Sequence, residues 1–147
     1  MNLNFQTSLR RALFILFLPA LCCALPLAAD DKAVAPVDAK QLMGAWILIG
    51  SPGKTIDPPA KGGRYLFFGD NQWAITQANP DSGDVMFHHG GNYTVSGNDY
   101  AETIQYANPS TATLVGKTLK FKLRIEGDLL MKEGVENEWN EVWKRVK

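Results

Sequence analysis

Hydrophobic and polar residues alternate in short runs along the chain after Leu42, and Gly, Asn, Asp and Pro separate these runs. Alternation with a period of two is typical of strands that bury one face, and the spacings leave no room for intervening helices. Strands joined by such short connections pair antiparallel. The pattern predicts an all-β domain with eight strands, at residues 42–50, 63–68, 72–77, 85–95, 99–106, 114–126, 129–133 and 138–146.

The first and last strands carry matching aromatic and basic residues. Gly44 and Trp46 open the first strand, and Trp143 and Arg145 close the last. A barrel closes when its first and last strands pair, and a Trp face beside a cation is a way to seal that end. These four residues are the structural signature from which we predict an eight-stranded antiparallel up-and-down barrel.

Turn residues set the register of neighbouring strands. The pair Gly97 and Asn98 suits a two-residue hairpin loop, because both residues tolerate a positive φ. This loop would set Val95 opposite Tyr100 and Tyr93 opposite Glu102. The more apolar face, which should point inward, carries Tyr93, Val95, Tyr100, Glu102, Ile104 and Tyr106.

The same argument applies at two other turns, Asp70-Asn71 and Gly127-Asp128. It predicts the pairs Phe68 with Trp73, Leu66 with Ile75, Arg64 with Gln77, and Ile125 with Leu130. Inward positions then include Arg64, Gln77, Leu119, Phe121 and Leu123, and outward positions include Lys120, Lys122 and Arg124. In the last strand, the face chosen for the interior carries Trp139, Glu141, Trp143 and Arg145.

The first 29 residues have the pattern of a secretory signal peptide. Arg10 and Arg11 precede an apolar run over residues 12–25, and the small residues Ala28 and Ala29 follow it. Such a run is short for a membrane span and is typical of a cleaved signal. We therefore expect an exported protein, periplasmic or extracellular.

Three segments follow from this interpretation: a signal peptide at residues 1–29, a flexible lead at 30–41, and a β-barrel at 42–147. The lead includes a helical turn that Asp38 would cap. Within the barrel, residues 51–62 are rich in Pro and Gly and predict an irregular connection at the mouth, placed to act as a lid.

Cleavage would leave 147 − 29 = 118 residues, which is enough for one domain. Cys22 and Cys23 would leave with the signal, so the mature chain would have no disulfide, thiol nucleophile or thiolate metal site. Without Arg10 and Arg11, the mature chain would have 13 basic and 15 acidic residues. This balance gives no electrostatic reason to bind nucleic acid, and we expect no stable membrane insertion after cleavage.

Several short motifs resemble a known group. They are residues 42–48, 91–95, the step Tyr100-Ala101-Glu102, residues 125–129 and residues 141–145. Together they resemble the exported bacterial lipocalin-like domains of unknown function in the calycin superfamily, which are distantly similar to lipocalins and fatty-acid-binding proteins. The resemblance implies that Trp46 packs near Arg145. It also maps a fatty-acid-binding arginine onto Arg145, but no tyrosine stands beside it, and it implies no activity.

Candidate chemistry rests on polar residues that the register places inside. The candidate ligand-binding residues are Arg64, Trp73, Tyr93, Tyr100, Glu102 and Arg145. Glu102 stands out, because an ionised carboxylate inside a barrel is costly unless it is paired. One interpretation makes Glu102 a ligand contact or general base. The other makes it a buried ion pair with Arg64 or Arg145, hydrogen-bonded to Tyr93.

His88 and His89 are the two histidines, and neighbours in a strand point to opposite faces. They cannot share one ion in regular geometry, so we predict no metal site and no cofactor. An inward imidazole is either a ligand contact or proton shuttle, or an ordinary strand histidine. No nucleophile elbow, phosphate loop or paired-carboxylate signature is present in the sequence.

Three functions remain open at this point. The first is an exported small-molecule-binding barrel that sequesters or carries a partly apolar ligand. The second is an isomerase, cyclase or lyase that uses Glu102 or a histidine as base and Tyr93 as acid. The third is a barrel filled by its own side chains, which acts through its surface as an inhibitor or envelope partner.

Overall fold

The computed structural model describes residues 34–147, and the predicted signal peptide lies outside the described residues. One short helix, α1, is followed by nine strands and a 3-10 helix at Pro109–Leu114. Between residues 34 and 147, no helix has the length and apolar character needed to cross a membrane. The elements are α1 (Ala39–Leu42), β1 (Gly44–Ser51), β2 (Lys54–Thr55), β3 (Arg64–Phe68), β4 (Gln72–Ala78), β5 (Val85–Ser96), β6 (Asp99–Ala107), β7 (Thr118–Glu126), β8 (Leu129–Val135) and β9 (Asn140–Arg145).

The strands form a closed antiparallel barrel. Their order is β2-β1-β3-β4-β5-β6-β7-β8-β9, and a further pairing between β1 and β9 closes the ring. The two-residue β2 pairs only with the end of β1, so eight long strands make the wall. The predicted eight-stranded antiparallel barrel is therefore confirmed.

Helical turns account for the two largest differences from the predicted strands. The first strand begins at Gly44 instead of 42, because residues up to Leu42 form α1, in which Asp38 caps the helix as predicted. The strand predicted to begin at 114 begins at Thr118. Pro109 occupies the first turn of the 3-10 helix, a position where its missing N–H costs nothing.

The three tight turns set the register as predicted. Val95 lies opposite Tyr100 and Tyr93 opposite Glu102. The pairs Arg64 with Gln77, Leu66 with Ile75, Phe68 with Trp73, and Ile125 with Leu130 are also present. The residues that the two-residue alternation placed inside therefore lie on the inward faces of these strands. The exception is the end of β6, where the ladder is irregular.

A bulge in β6 changes the direction of its last residues. The ladder runs from Gly91 opposite Ile104 to Gly90 opposite Tyr106, so Gln105 is an extra residue. One inserted residue turns every later side chain to the other face. The prediction that Tyr106 points inward was therefore wrong: it is 45% exposed and its ring lies beside His88.

Two glycines of β5 lie where the backbones of the neighbouring strands β4 and β6 approach closely. A Cβ at Gly91 would collide with the carbonyl oxygen of Thr103, and one at Gly90 would collide with the carbonyl oxygen of Trp73. Glycine is therefore required at both positions by close approach of the strands.

The end of the barrel that carries the tight turns is closed and packed. The indole of Trp46 donates to the carbonyl of Leu42 at 2.8 Å, and the backbone N–H of Val37 donates to Gly97 at 3.2 Å. Residues 37–42 thus lie against this end as a plug. The largest fully buried side chains are Trp46, Trp73, Trp143, Tyr100, Phe121, Leu42, Leu66, Ile104, Leu123 and Leu130.

Candidate ligand-binding site

The opposite, open end of the barrel retains an interior cavity of about 140 Å³. Strands β3 to β9 and the 3-10 helix contribute its wall. Its lining combines charged groups with apolar and aromatic side chains: Arg64, Ile75, Phe87, His89, Glu102, Leu114, Phe121, Lys132, Trp139 and Glu141. Concave sites with a few converging polar groups among apolar walls are the usual sites for small molecules.

The segment predicted to act as a lid does not reach this cavity. Residues 54–55 pair with the end of β1, and the N–H of Ile56 donates to the carbonyl of Ile49 at 2.8 Å. None of residues 51–62 lines the cavity. Residues 51–55 therefore form a hairpin turn that extends the wall at β1, and residues 56–62 are an irregular connection, as predicted.

The floor of the cavity holds a buried ion pair. Nζ of Lys132 donates to Oε2 of Glu102 at 2.9 Å, and the Tyr100 hydroxyl donates to the same oxygen at 2.8 Å. Oε2 of Glu141 lies 3.7 Å from the ammonium. The prediction that Glu102 pairs with Arg64 or Arg145 and bonds to Tyr93 was wrong, because Lys132 and Tyr100 take these roles.

Burial changes the pKa of two members of this cluster, Glu102 and Tyr100. It raises the pKa of Glu102, and the ammonium of Lys132 and the Tyr100 hydroxyl oppose that rise. Burial also raises the pKa of Tyr100 well above 10, and the neighbouring carboxylate of Glu102 adds to the effect. The Lys132 ammonium lies 4.2 Å from the centre of the Phe121 ring, so the ring face stabilises the cation.

His89 points into the cavity and His88 points outward, as the alternation predicts. The His89 side chain is 5% exposed, and its Nδ1 is buried without a hydrogen-bond partner. Its ring meets the edges of Phe87 and Trp73, with centroid distances of 4.7 and 5.4 Å. Burial, and then the positive charges of Lys132, His88 and Arg64, lower the pKa of His89 from 6.5 to about 4. The imidazole is therefore neutral at physiological pH.

Arg64 lies at the upper edge of the cavity on β3. Its Nε donates to Oε1 of Gln77 at 3.0 Å, which the cross-strand pairing of these two residues allows. The guanidinium carbon lies 4.6 Å from the centre of the Phe87 ring. Arg64 makes no salt bridge with any residue in the part of the chain that the structure describes.

Four of the predicted ligand-binding residues do not line the cavity. The Tyr93 hydroxyl donates to the carbonyls of Gly69 and Asp70 at the closed end, and the Trp73 indole donates to Asn92. Tyr100 lies beneath the cavity floor and acts through Glu102. Arg145 lies at the closed end of the barrel, away from the cavity. Arg64 and Glu102 are the two predicted residues that the cavity wall includes.

Arg145 seals the barrel instead. It lies opposite Trp46 across the β1–β9 pairing, and its guanidinium carbon is 4.0 Å from the centre of that indole. Its two terminal nitrogens donate to the backbone carbonyls of Met43 and Gln41. The relationship that the resemblance implied for Trp46 and Arg145 is present, and it is a structural one.

The sequence prediction omitted Lys132, the cation that pairs with Glu102. Lys132 lies two residues after Leu130, on the same face, so the period of β8 was a signal that could have placed it inside. Glu141 was placed inside, but its approach to Lys132 depends on the reach of both side chains. The apolar wall residues Phe87 and Leu114 carried no distinctive sequence signal.

A larger depression of about 1000 Å³ lies elsewhere, and it is open to solvent. Its lining includes the exposed side chains Lys122, Arg124 and Glu133 and the half-buried Met131 on the outer face of β7 and β8, and it also includes the buried Lys132. Among residues 34–147, no group of three His, Cys, Asp or Glu side chains could hold a metal ion.

Comparison with known proteins gives a fold similarity only. No family model matches the chain, and no curated protein matches it. A lipocalin-like protein from Bacteroides uniformis is similar at 14% identity, with a TM-score of 0.49 over 71% of this chain and 98% of that one. An uncharacterized protein from Bacteroides eggerthii is similar at 14% identity, with a TM-score of 0.47 over 71% and 99% of the two chains. The similar solved structures are thus lipocalin-like and uncharacterised proteins, and the strand pairing of this chain itself establishes its closed eight-stranded barrel.

Proposed function

We propose that this protein binds a small, partly apolar molecule inside the open half of its barrel. The observation that supports the proposal is the interior cavity, where Arg64, His89, Glu102 and Lys132 converge among aromatic walls. Replacing a buried ion pair such as Glu102–Lys132 by apolar side chains is often neutral or stabilising, so stability alone does not explain why these charges lie inside the barrel. Export, with the ligand carried or sequestered outside the cytoplasm, remains part of this proposal.

The cavity size restricts the ligand. Drug-sized ligands occupy pockets of roughly 300–1,000 Å³, whereas an enclosed space of about 150 Å³ holds benzene. The 140 Å³ of this barrel therefore suits a ligand near the size of one ring. A long acyl chain would need the packed aromatic residues of the closed half to move, at a cost that their tight packing makes high.

The base and acid of the catalytic alternative, Glu102 and Tyr93, do not hydrogen-bond to each other. Tyr93 and Glu102 lie opposite each other across two strands, but the Tyr93 hydroxyl bonds to the 69–70 turn. The hydrogen-bond partners of Glu102 are Lys132 and Tyr100, and both use its Oε2. The geometry therefore supports binding better than acid–base catalysis by Glu102 and Tyr93.

Native mass spectrometry of the chain, purified gently from an exporting host, tests the proposal. A discrete extra mass that is lost on denaturation supports a cavity ligand. The variant Leu114→Trp, which fills the cavity from the 3-10 helix, should lose that mass. A bare chain, still bare after incubation with a chemically diverse set of ring-sized fragments, would contradict the proposal and favour a barrel that acts through its surface.

A further inference from the structure

Among residues 34–147, the cavity contains one cation, Arg64, whose charge no carboxylate neutralises. The ammonium of Lys132 forms salt bridges with Glu102 at 2.9 Å and with Glu141 at 3.7 Å. Arg64 has only the neutral Gln77 as hydrogen-bond partner among the described residues, and one ring face beneath it. Its two terminal nitrogens are therefore available at the cavity edge, in the fork geometry that matches a carboxylate.

His89 supplies a second, independent observation. A buried polar atom without a partner is costly, yet Nδ1 of this almost wholly buried ring has none. The imidazole ring lines the cavity, so a bound molecule can hydrogen-bond to it, and it reaches the enclosed Nδ1 once the ring turns this atom toward the cavity. A neutral imidazole has one N–H donor and one acceptor nitrogen, and either tautomer can meet a polar ligand.

The electrostatic environment of His89 indicates the charge of that ligand. The positive charges of Lys132 and Arg64 disfavour a further cation at this position. The same field favours an anion there. Glu102 and Glu141 also face the cavity. Both carboxylates pair with the ammonium of Lys132 at the cavity floor, and neither forms a salt bridge with Arg64.

The walls indicate the shape of the ligand. Phe87 lies directly below the Arg64 guanidinium, and Phe121 and Trp139 also line the space. Flat rings pack well against aromatic side chains, either offset or edge to face. A cavity of 140 Å³ has room for one ring with one small polar substituent.

We propose that the cavity selects a small, flat organic anion, a ring-sized carboxylate, which pairs with the guanidinium of Arg64 and hydrogen-bonds to the imidazole of His89. This inference rests on the proposed binding function and names the ligand class for the same site. The carboxylate lies at the open end and the ring points toward Phe121.

Benzoate is the probe for this proposal, and benzamide is its uncharged match. Titration calorimetry gives the affinities, and the imidazole nitrogen signals of His88 and His89 in NMR spectra locate the bound probe. We expect benzoate to shift the His89 signals and leave those of His88 in place. Benzamide should bind about 10- to 100-fold more weakly, the difference expected for a charge-assisted hydrogen bond.

Arg64→Gln and Arg124→Gln are the matched variants. Arg124 is exposed on the outer face of β7, 3.2 Å from Glu126, and is remote from the cavity lining. We expect Arg64→Gln to lose about 10- to 100-fold in benzoate affinity and Arg124→Gln to lose none. Arg64→Lys, which keeps the charge but not the fork, should give an intermediate loss and a folded chain if Arg64→Gln is unstable.

Two results would overturn the anion assignment and leave the binding function intact. One is equal affinity for benzamide and benzoate at His89. The other is a stronger response to benzylammonium than to benzoate. If no neutral, cationic or anionic ring shifts the His89 signals in the wild-type chain, both this inference and the proposed function fail.

Discussion

Lys132 and Glu102 form an ion pair of 2.9 Å whose two side chains are almost fully excluded from solvent. The two residues lie on strands that are not neighbours, because β7 runs between β6 and β8. The pair therefore joins the barrel wall across its interior. Breaking such a pair from one side is costly, since the remaining charge stays buried without a partner.

Lys132→Met should destabilise the fold by about 3–5 kcal/mol, because it leaves Glu102 buried beside Glu141. The double variant Lys132→Met, Glu102→Leu should recover much of this loss. Urea unfolding followed by circular dichroism measures both free energies. Lys122→Met is the control: its pair with Asp99 is exposed, and its loss should cost less than about 1 kcal/mol. Equal losses at Lys122 and Lys132 would contradict the structural role of the interior pair.

The stability of the protein should fall as the pH drops from 6.5 to about 4, because of His89. Its pKa is lowered from 6.5 to about 4 in the folded chain, so the unfolded chain binds more protons between these values. The full effect, at about 1.4 kcal/mol per pH unit, is on the order of 3 kcal/mol. Glu102, with its raised pKa, contributes the opposite slope.

Comparing variants separates His89 from Glu102. His89→Phe should flatten the pH dependence of the free energy of unfolding over this range, while Glu102 contributes equally before and after the substitution. His88→Phe, on the outer face, removes only one of the smaller causes of the lowered His89 pKa, so it should keep most of the wild-type dependence. Urea titrations at pH 4, 5, 6 and 7 make the comparison, and identical slopes for the three proteins would refute it.

Arg145→Met should loosen the closed end of the barrel. The substitution removes the contact with the Trp46 ring and two hydrogen bonds to carbonyls that precede β1. We expect a loss of about 1–3 kcal/mol. Hydrogen exchange should show faster opening of the β1–β9 pairing than of β5–β6. Arg145→Lys should recover part of the loss, since it restores the charge without the fork. Uniform acceleration of exchange would argue against a local seal.

Gly91→Ala should destabilise the protein by about 1–3 kcal/mol, the usual cost of overpacking. Its new Cβ would meet the carbonyl oxygen of Thr103 at the β6 bulge. Gly69→Ala is the matched control, because its Cβ would meet its nearest neighbour, Gln72, at 3.7 Å, an ordinary contact distance. Thermal unfolding of both variants tests the difference, and similar midpoints would mean that the strands separate easily at the bulge.

Sequence reasoning succeeded where short-range rules determine the structure. Two-residue turns fix the register of a hairpin, and the period of two then gives the face of each residue. Hence Val95 opposite Tyr100, and the inward direction of Glu102 and His89, could be predicted. The pairing of β1 with β9 was predicted from the Trp and Arg residues that these two strands carry at the same end of the barrel.

The same rules could not choose partners inside the barrel. Parity places Arg64, Lys132, Glu141 and Arg145 on inward faces, but the reach of each side chain and its height along the axis decide which cation meets Glu102. The β6 bulge depends on an inserted residue with no turn chemistry of its own. Tyr106 was therefore assigned to the wrong face, and the cavity wall could be predicted only in part.

The extra residue Gln105 determines which side chain of β6 faces the barrel interior opposite His89. In an unbroken ladder, the register of Tyr93 with Glu102 would bring Tyr106 opposite His89. The insertion instead brings Ala107 to that position and sends the phenol outside. A methyl group thus stands where an aromatic ring would have filled the upper interior. A one-residue irregularity in the backbone ladder thereby keeps a large aromatic side chain away from the interior position beside His89.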